Sequence, residues 1–129
     1  MRTVCLRYDM VEGPVVTFKS GATRSADKTF DPEGFLNPRV LERFSEYMEI
    51  HRKQSDGKMR AADNWQKGMS IKRYRSSLMR HYFDYWLLSR GYKPHSPDSY
   101  DVETVLCAIL FNVQGLLLEE LRKKRGKGK

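Results

Sequence analysis

Apolar positions in this chain change period along its length, and each change marks the border of an element. In "TVCLRYDM" the residues Val4, Leu6, Tyr8 and Met10 alternate on one face, and "VVTF" follows the turn residues Glu12-Gly13-Pro14. That pattern predicts a β-hairpin over residues 1–20. From Lys19 to Phe35 no period holds, and "KSGATRSADKTFDPEGF" has the composition of a long ordered loop or extended arm. Asn37-Pro38 then supplies a cap and a first helical residue. Behind it Val40, Leu41, Phe44, Tyr47, Met48 and His51 recur at helical spacing, predicting a helix over 37–54.

Ser55 to Met69, with Asp56-Gly57 and Gly68, reads as a loop holding at most one helical turn. Ser70 caps a second helix over 70–90, in which Ile71, Tyr74, Leu78, Tyr82, Tyr85 and Leu88 share a face until Gly91. A third helix spans 101–123. It is apolar nearly all round from Val105 to Leu118, broken only by Asn112 and Gln114, and is expected to be central and buried. The expected fold is mainly α: a small helical bundle of three main helices, preceded by an N-terminal β-hairpin and long loop. A single globular domain over 1–121 precedes a basic flexible tail, 122–129.

At 129 residues the chain has length for one core. Met1–Pro14 has no apolar signal core, and the longest uncharged run, Thr104 to Leu118, is shorter than the roughly 20 residues that span a bilayer. Neither secretion nor membrane insertion is expected. Cys5 and Cys107 belong to no CxxC or Cys/His cluster, which fits a reducing cytoplasm. The net charge of +8 points toward nucleic acid, but "RKKRGKGK" at the end carries six of the 24 basic residues; without it 18 basic residues face 16 acidic ones. Polynucleotide binding would therefore rest on the tail, whose simpler role is to keep the chain soluble.

Candidate chemistry begins with Glu42, Glu46 and Glu49, which lie within about 60° of one another on a helical wheel. The Glu46-x-x-Glu49 pair has the spacing to share a hard divalent cation, Mg²⁺ or Mn²⁺. The same wheel sets the stripe opposite the apolar face, where solvated glutamates normally sit. On the second helix Arg73, Ser77, Arg80 and Asp84 form one edge, either a binding row or a surface salt-bridge row, and His81 lies nearer the apolar face, where a hydrogen-bonded core histidine also belongs. Asp101 is a metal-ligand candidate whose ordinary role is the helix cap, and Asn112, in a buried helix, must be hydrogen-bonded. Asn64, Trp65 and Lys67 beside Gly68 combine an amide, an aromatic ring and a cation, which suits a nucleobase stacked above phosphates; a loop tryptophan plugging the core edge has the same sequence signature. Lys19, Gly21 and Arg24 form a small-residue turn able to cradle phosphate, without being a Walker A loop.

Taken in order, "FKSGATRSADKTFDPEGFLNPRVLERFSEY", "DNWQKG", "RSSLMRH" and "DVETVLCAILFN" resemble the dATP/dGTP diphosphohydrolase amino-terminal-domain family. That family is common in phages and looks related to the MazG-like all-α nucleotide pyrophosphohydrolases; the resemblance covers roughly 18–118. It implies metal-dependent hydrolysis of a purine (deoxy)nucleoside triphosphate to monophosphate and pyrophosphate, in the host cytoplasm if the protein is phage-encoded. The ExxE of those enzymes maps onto Glu46 and Glu49, with Asp84 and Asp101 completing a metal set. Arg24, Asn64, Trp65, Lys67, Arg80, His81 and Asn112 would hold the nucleotide. The family's second motif, ExxD, has no clean counterpart: His81-x-x-Asp84 occupies its place, and Asp101 and Glu103 compete for the role. A nucleotide-binding protein that sequesters its ligand uncleaved is therefore the alternative expectation. In either case the apolar surface left by so few helices implies a homodimer or larger assembly.

Overall fold

The computed structural model describes residues 14–25, 30–97, 99 and 101–127. The chain divides into two compact units, Met1–Asn37 and Pro38–Lys129. In the first, β1 (Val15–Thr17) pairs antiparallel with β2 (Thr23–Ser25), Val16 opposite Arg24. Gly21, at φ +94°, takes the left-handed turn between them, and the Phe18 N–H donates to the Ala22 carbonyl at 2.8 Å. Val15–Thr17 is thus a strand as expected. Its described partner, however, comes from the stretch expected to be loop, because three-residue strands are too short to reveal a period of two. Val4, Leu6, Tyr8 and Met10 lie outside the described residues. A single turn, α1 (Pro32–Phe35), follows, with Asp31 accepting from the Gly34 N–H at 3.1 Å.

The second unit holds the three main helices, α2 (Pro38–Ile50), α3 (Ile71–Ser89) and α4 (Val102–Lys127). Their starts follow the expected caps. The Ser70 hydroxyl accepts from the Arg73 N–H at 3.1 Å, and an Asp101 carboxylate oxygen accepts from the Thr104 N–H at 2.7 Å. Their ends depart from expectation. α2 stops at Ile50 because the chain folds back through Gly57 (φ +85°), pairing Lys53 with Met59 and returning the Arg60 N–H to the Arg52 carbonyl at 2.8 Å. α4 instead runs on to Lys127, so Arg122–Lys127 of the expected flexible tail are helical. Lysine and arginine are good helix formers and suit the negative end of the helix dipole, and the pairs Glu119–Arg122 and Glu120–Lys123 lie along this turn.

α4 packs mainly on α3 and less on α2. The Tyr74 ring lies over Gly115, where a Cβ would overlap it, and meets Phe111 edge-on at 5.9 Å. Burial is one-sided. Among the described residues Tyr74 of α3 and Val105, Cys107 and Ala108 of α4 form the buried apolar core, while Leu106, Leu110, Val113 and Leu117 of α4 are exposed. α4 is therefore central by position but not buried all round. Its segment Val102–Gly126 is also long and apolar enough to cross a membrane, which the shorter uncharged run had argued against; a third of its apolar window is buried in the fold.

Candidate nucleotide-binding cleft

The end of α2 and the loops after it surround a cleft of about 440 Å³. Its walls come from four sources: Tyr47 on the last turn of α2 with His51 just after it, Arg52 and Arg60 across the small hairpin, Asn64, Trp65 and Lys67 on a single 3₁₀ turn, and Phe111 on α4. The hairpin fixes the two arginines. Arg52 donates through Nε to the Arg60 carbonyl at 2.8 Å and through Nη1 to both oxygens of Glu49 at 3.0 and 3.1 Å, while Arg60 donates to the His51 carbonyl. The His51 ring lies against Tyr47 with centroids 4.1 Å apart. Three cationic side chains line the cleft and no carboxylate does.

Trp65 is half-buried, its ring edge-on to Phe111 at 5.9 Å. The loop that carries it is tied to the end of α4. Glu119 accepts from the Met69 N–H and from Arg122, each at 3.2 Å, and Arg122 also donates to the Gln66 carbonyl. Between them Gly68 adopts φ +115°, a conformation that favours glycine.

Of the expected nucleotide-binding residues, the structure gathers Asn64, Trp65 and Lys67 here. Arg24 belongs to β2 in the first unit. Arg80 is exposed on α3 and donates to the hydroxyls of Ser76 and Ser77, so it forms no row with Asp84. His81 is half-buried on α3, and neither it nor Asn112 lines the cleft. Asn112 is buried and donates to the Ala108 carbonyl one turn back at 2.8 Å. Tyr47, His51, Arg52, Arg60 and Phe111 complete the cleft without having been singled out for it. The arginines were visible only as charges, because the hairpin that joins them is set by backbone pairing.

The carboxylates expected to hold a metal are not brought together. Glu46 and Glu49 are exposed on α2, with Glu49 engaged by Arg52. Asp84 is 1% exposed and accepts from the backbone N–H groups of His95 (2.7 Å) and Ser96 (3.3 Å), anchoring the loop after α3. Burial pushes its carboxyl up, but these bonds and the Ser96 and Ser99 hydroxyls outweigh that and hold it below the usual range. Asp101 is the α4 cap, held low chiefly by the Thr104 N–H. Among the described residues no group of three or more His, Cys, Asp or Glu side chains is placed to hold a metal ion. The four-carboxylate set of Glu46, Glu49, Asp84 and Asp101 is thus not assembled, and Glu46 and Glu49 remain an exposed pair one turn apart on α2.

No protein-family model, curated protein or solved structure matches this chain, so the resemblance to dATP/dGTP diphosphohydrolases rests on the order of its motifs alone.

Proposed function

We propose that the second unit binds a purine nucleotide in this cleft and holds it without cleaving it. The observation that carries the reading is the lining itself: aromatic rings at Tyr47 and Trp65, an amide at Asn64, and Arg52, Arg60 and Lys67 with no carboxylate among them. Its volume lies within the range usual for small-molecule sites. In this reading the base stacks on Trp65, Asn64 meets its polar edge, and Lys67 takes the phosphates together with the N–H donors that Arg52 and Arg60 do not spend on Glu49 and the hairpin carbonyls. Hydrolysis would need a metal to activate water and stabilise the leaving oxygen. Of the four carboxylates proposed for that work, Asp84 anchors a loop, Asp101 caps a helix and Glu49 is ion-paired, which leaves Glu46 alone.

The test is calorimetry with purine nucleoside triphosphates in EDTA, followed by recovery of the ligand. Metal-independent binding with the triphosphate returned intact is the expected result. Pyrophosphate release with Mg²⁺ or Mn²⁺, or binding that disappears in EDTA, would replace this reading with the metal-dependent hydrolase.

A further inference from the structure

α4 turns a second apolar face away from α3. Val102, Leu106, Leu110, Val113 and Leu117 are all exposed, Leu117 by 58%. Their spacing of three or four residues confines them to an arc of about 80°, opposite Ala108, and carries the stripe roughly 22 Å along the axis. Beside it, a groove of about 350 Å³ between α2 and α4 is lined by Val40, Phe44, Leu106 and Leu110. Against this stands a core of four buried apolar residues among those described. So small a core leaves a lone chain short of the burial a domain of this size normally achieves.

We propose that the stripe is the seam of a homodimer in which α4 packs antiparallel against α4 of a second copy. Charge sets the direction. Asp101 and Glu103 sit at the start of the helix, and Lys124 and Arg125 near its end. In an antiparallel pair centred near Val113, Leu110 lies level with Leu117 of the other copy, Leu106 with Leu121, and Glu103 with Lys124. A parallel pair sets the basic ends side by side, where like charges repel; flanking charges choose orientation in helical pairs in this way. The contact is self-complementary and closes on itself, as a twofold interface must.

Lipid is the competing occupant, since α4 has the length and composition to span a bilayer. The fold argues against it. Thr104 and Asn112 lie buried on the face opposite the stripe, and the Arg43–Glu103 pair flanks it at 2.6 Å, so the helix enters lipid only by leaving its partners or taking charges with it.

The dimer is independent of the cleft, which shares no residue with the stripe. Sedimentation of the full chain should give twice the 15.2 kDa chain mass. Leu110→Glu and Leu117→Glu should each weaken association more than tenfold, whereas Met79→Glu, on an exposed position of α3, should not. Lys124→Glu should weaken the dimer several-fold without altering the apolar seam or the Arg43–Glu103 pair. A wild-type chain that sediments singly at high micromolar concentration overturns the proposal, as does a dimer indifferent to both leucine variants. Flotation with phosphatidylcholine vesicles that Leu117→Glu abolishes, from a protein that is single in water, assigns the stripe to lipid instead.

Discussion

Asp84 shows how one side chain's environment decides its chemistry. Its spacing from His81 suits a metal motif, but the loop after α3 brings two backbone N–H groups to its carboxylate, and the group becomes structural. Asp84→Asn replaces one accepting oxygen with a donor facing those N–H groups, and chemical denaturation should show a loss of roughly 2 kcal/mol at neutral pH. A carboxyl held below its ordinary value of 3.8 contributes stability that is full above that value and is lost as pH falls through the lower folded one. The wild type should therefore lose stability progressively below about pH 4, and Asp84→Asn should flatten that fall in part, Asp101 supplying the rest. At Trp65 the two sequence readings, base platform and core plug, separate by measurement. Trp65→Ala should weaken nucleotide binding by about 1–3 kcal/mol, and Trp65→Phe by less. Lower stability with unchanged affinity would make the residue a plug against Phe111.

Between helices, the closest fit is Tyr74 against Gly115. Alanine is the better helix former by about 1 kcal/mol, so propensity alone predicts that Gly115→Ala stabilises α4. The Tyr74 ring occupies the space the new methyl needs, and overpacking should dominate: a net loss of about 1–3 kcal/mol, reduced when Tyr74→Leu is added. Tyr74 Oη is buried with no hydrogen-bond partner among the described residues, so Tyr74→Phe should leave the melting temperature unchanged or raise it. These contacts mark the limit of what the sequence discloses. Asn37-Pro38, Ser70 and Asp101 announced the helix starts because capping is local chemistry. The hairpin from Arg52 to Arg60 and the hold of Arg122 on the Trp65 loop stayed hidden, since each depends on backbone groups brought together by the fold. The apolar circumference of α4 was legible, but whether a given leucine faces α3 or water was not.

At the scale of the whole chain, the charge that first pointed toward nucleic acid is tied up more than a flexible tail would allow. Arg122 holds the Trp65 loop, and Lys123 pairs with Glu120. Truncating Arg122–Lys129 should therefore impair nucleotide binding as well as any salt-sensitive attraction to polynucleotides, whereas a free tail would affect only the second. The thin core leads to a further outcome. If much of the apolar burial that stabilises the helices is supplied by a second copy, folding and association form one equilibrium, and stability depends on protein concentration. Each tenfold dilution then removes about 1.4 kcal/mol per dimer. The thermal midpoint, followed by circular dichroism, should drop by a few degrees for each such dilution. Leu117→Glu should melt lower and lose the dependence, because its helices no longer share the seam. A wild-type midpoint unchanged across a hundredfold dilution would mean that the four apolar residues buried among those described, with their half-buried neighbours, hold the fold unaided.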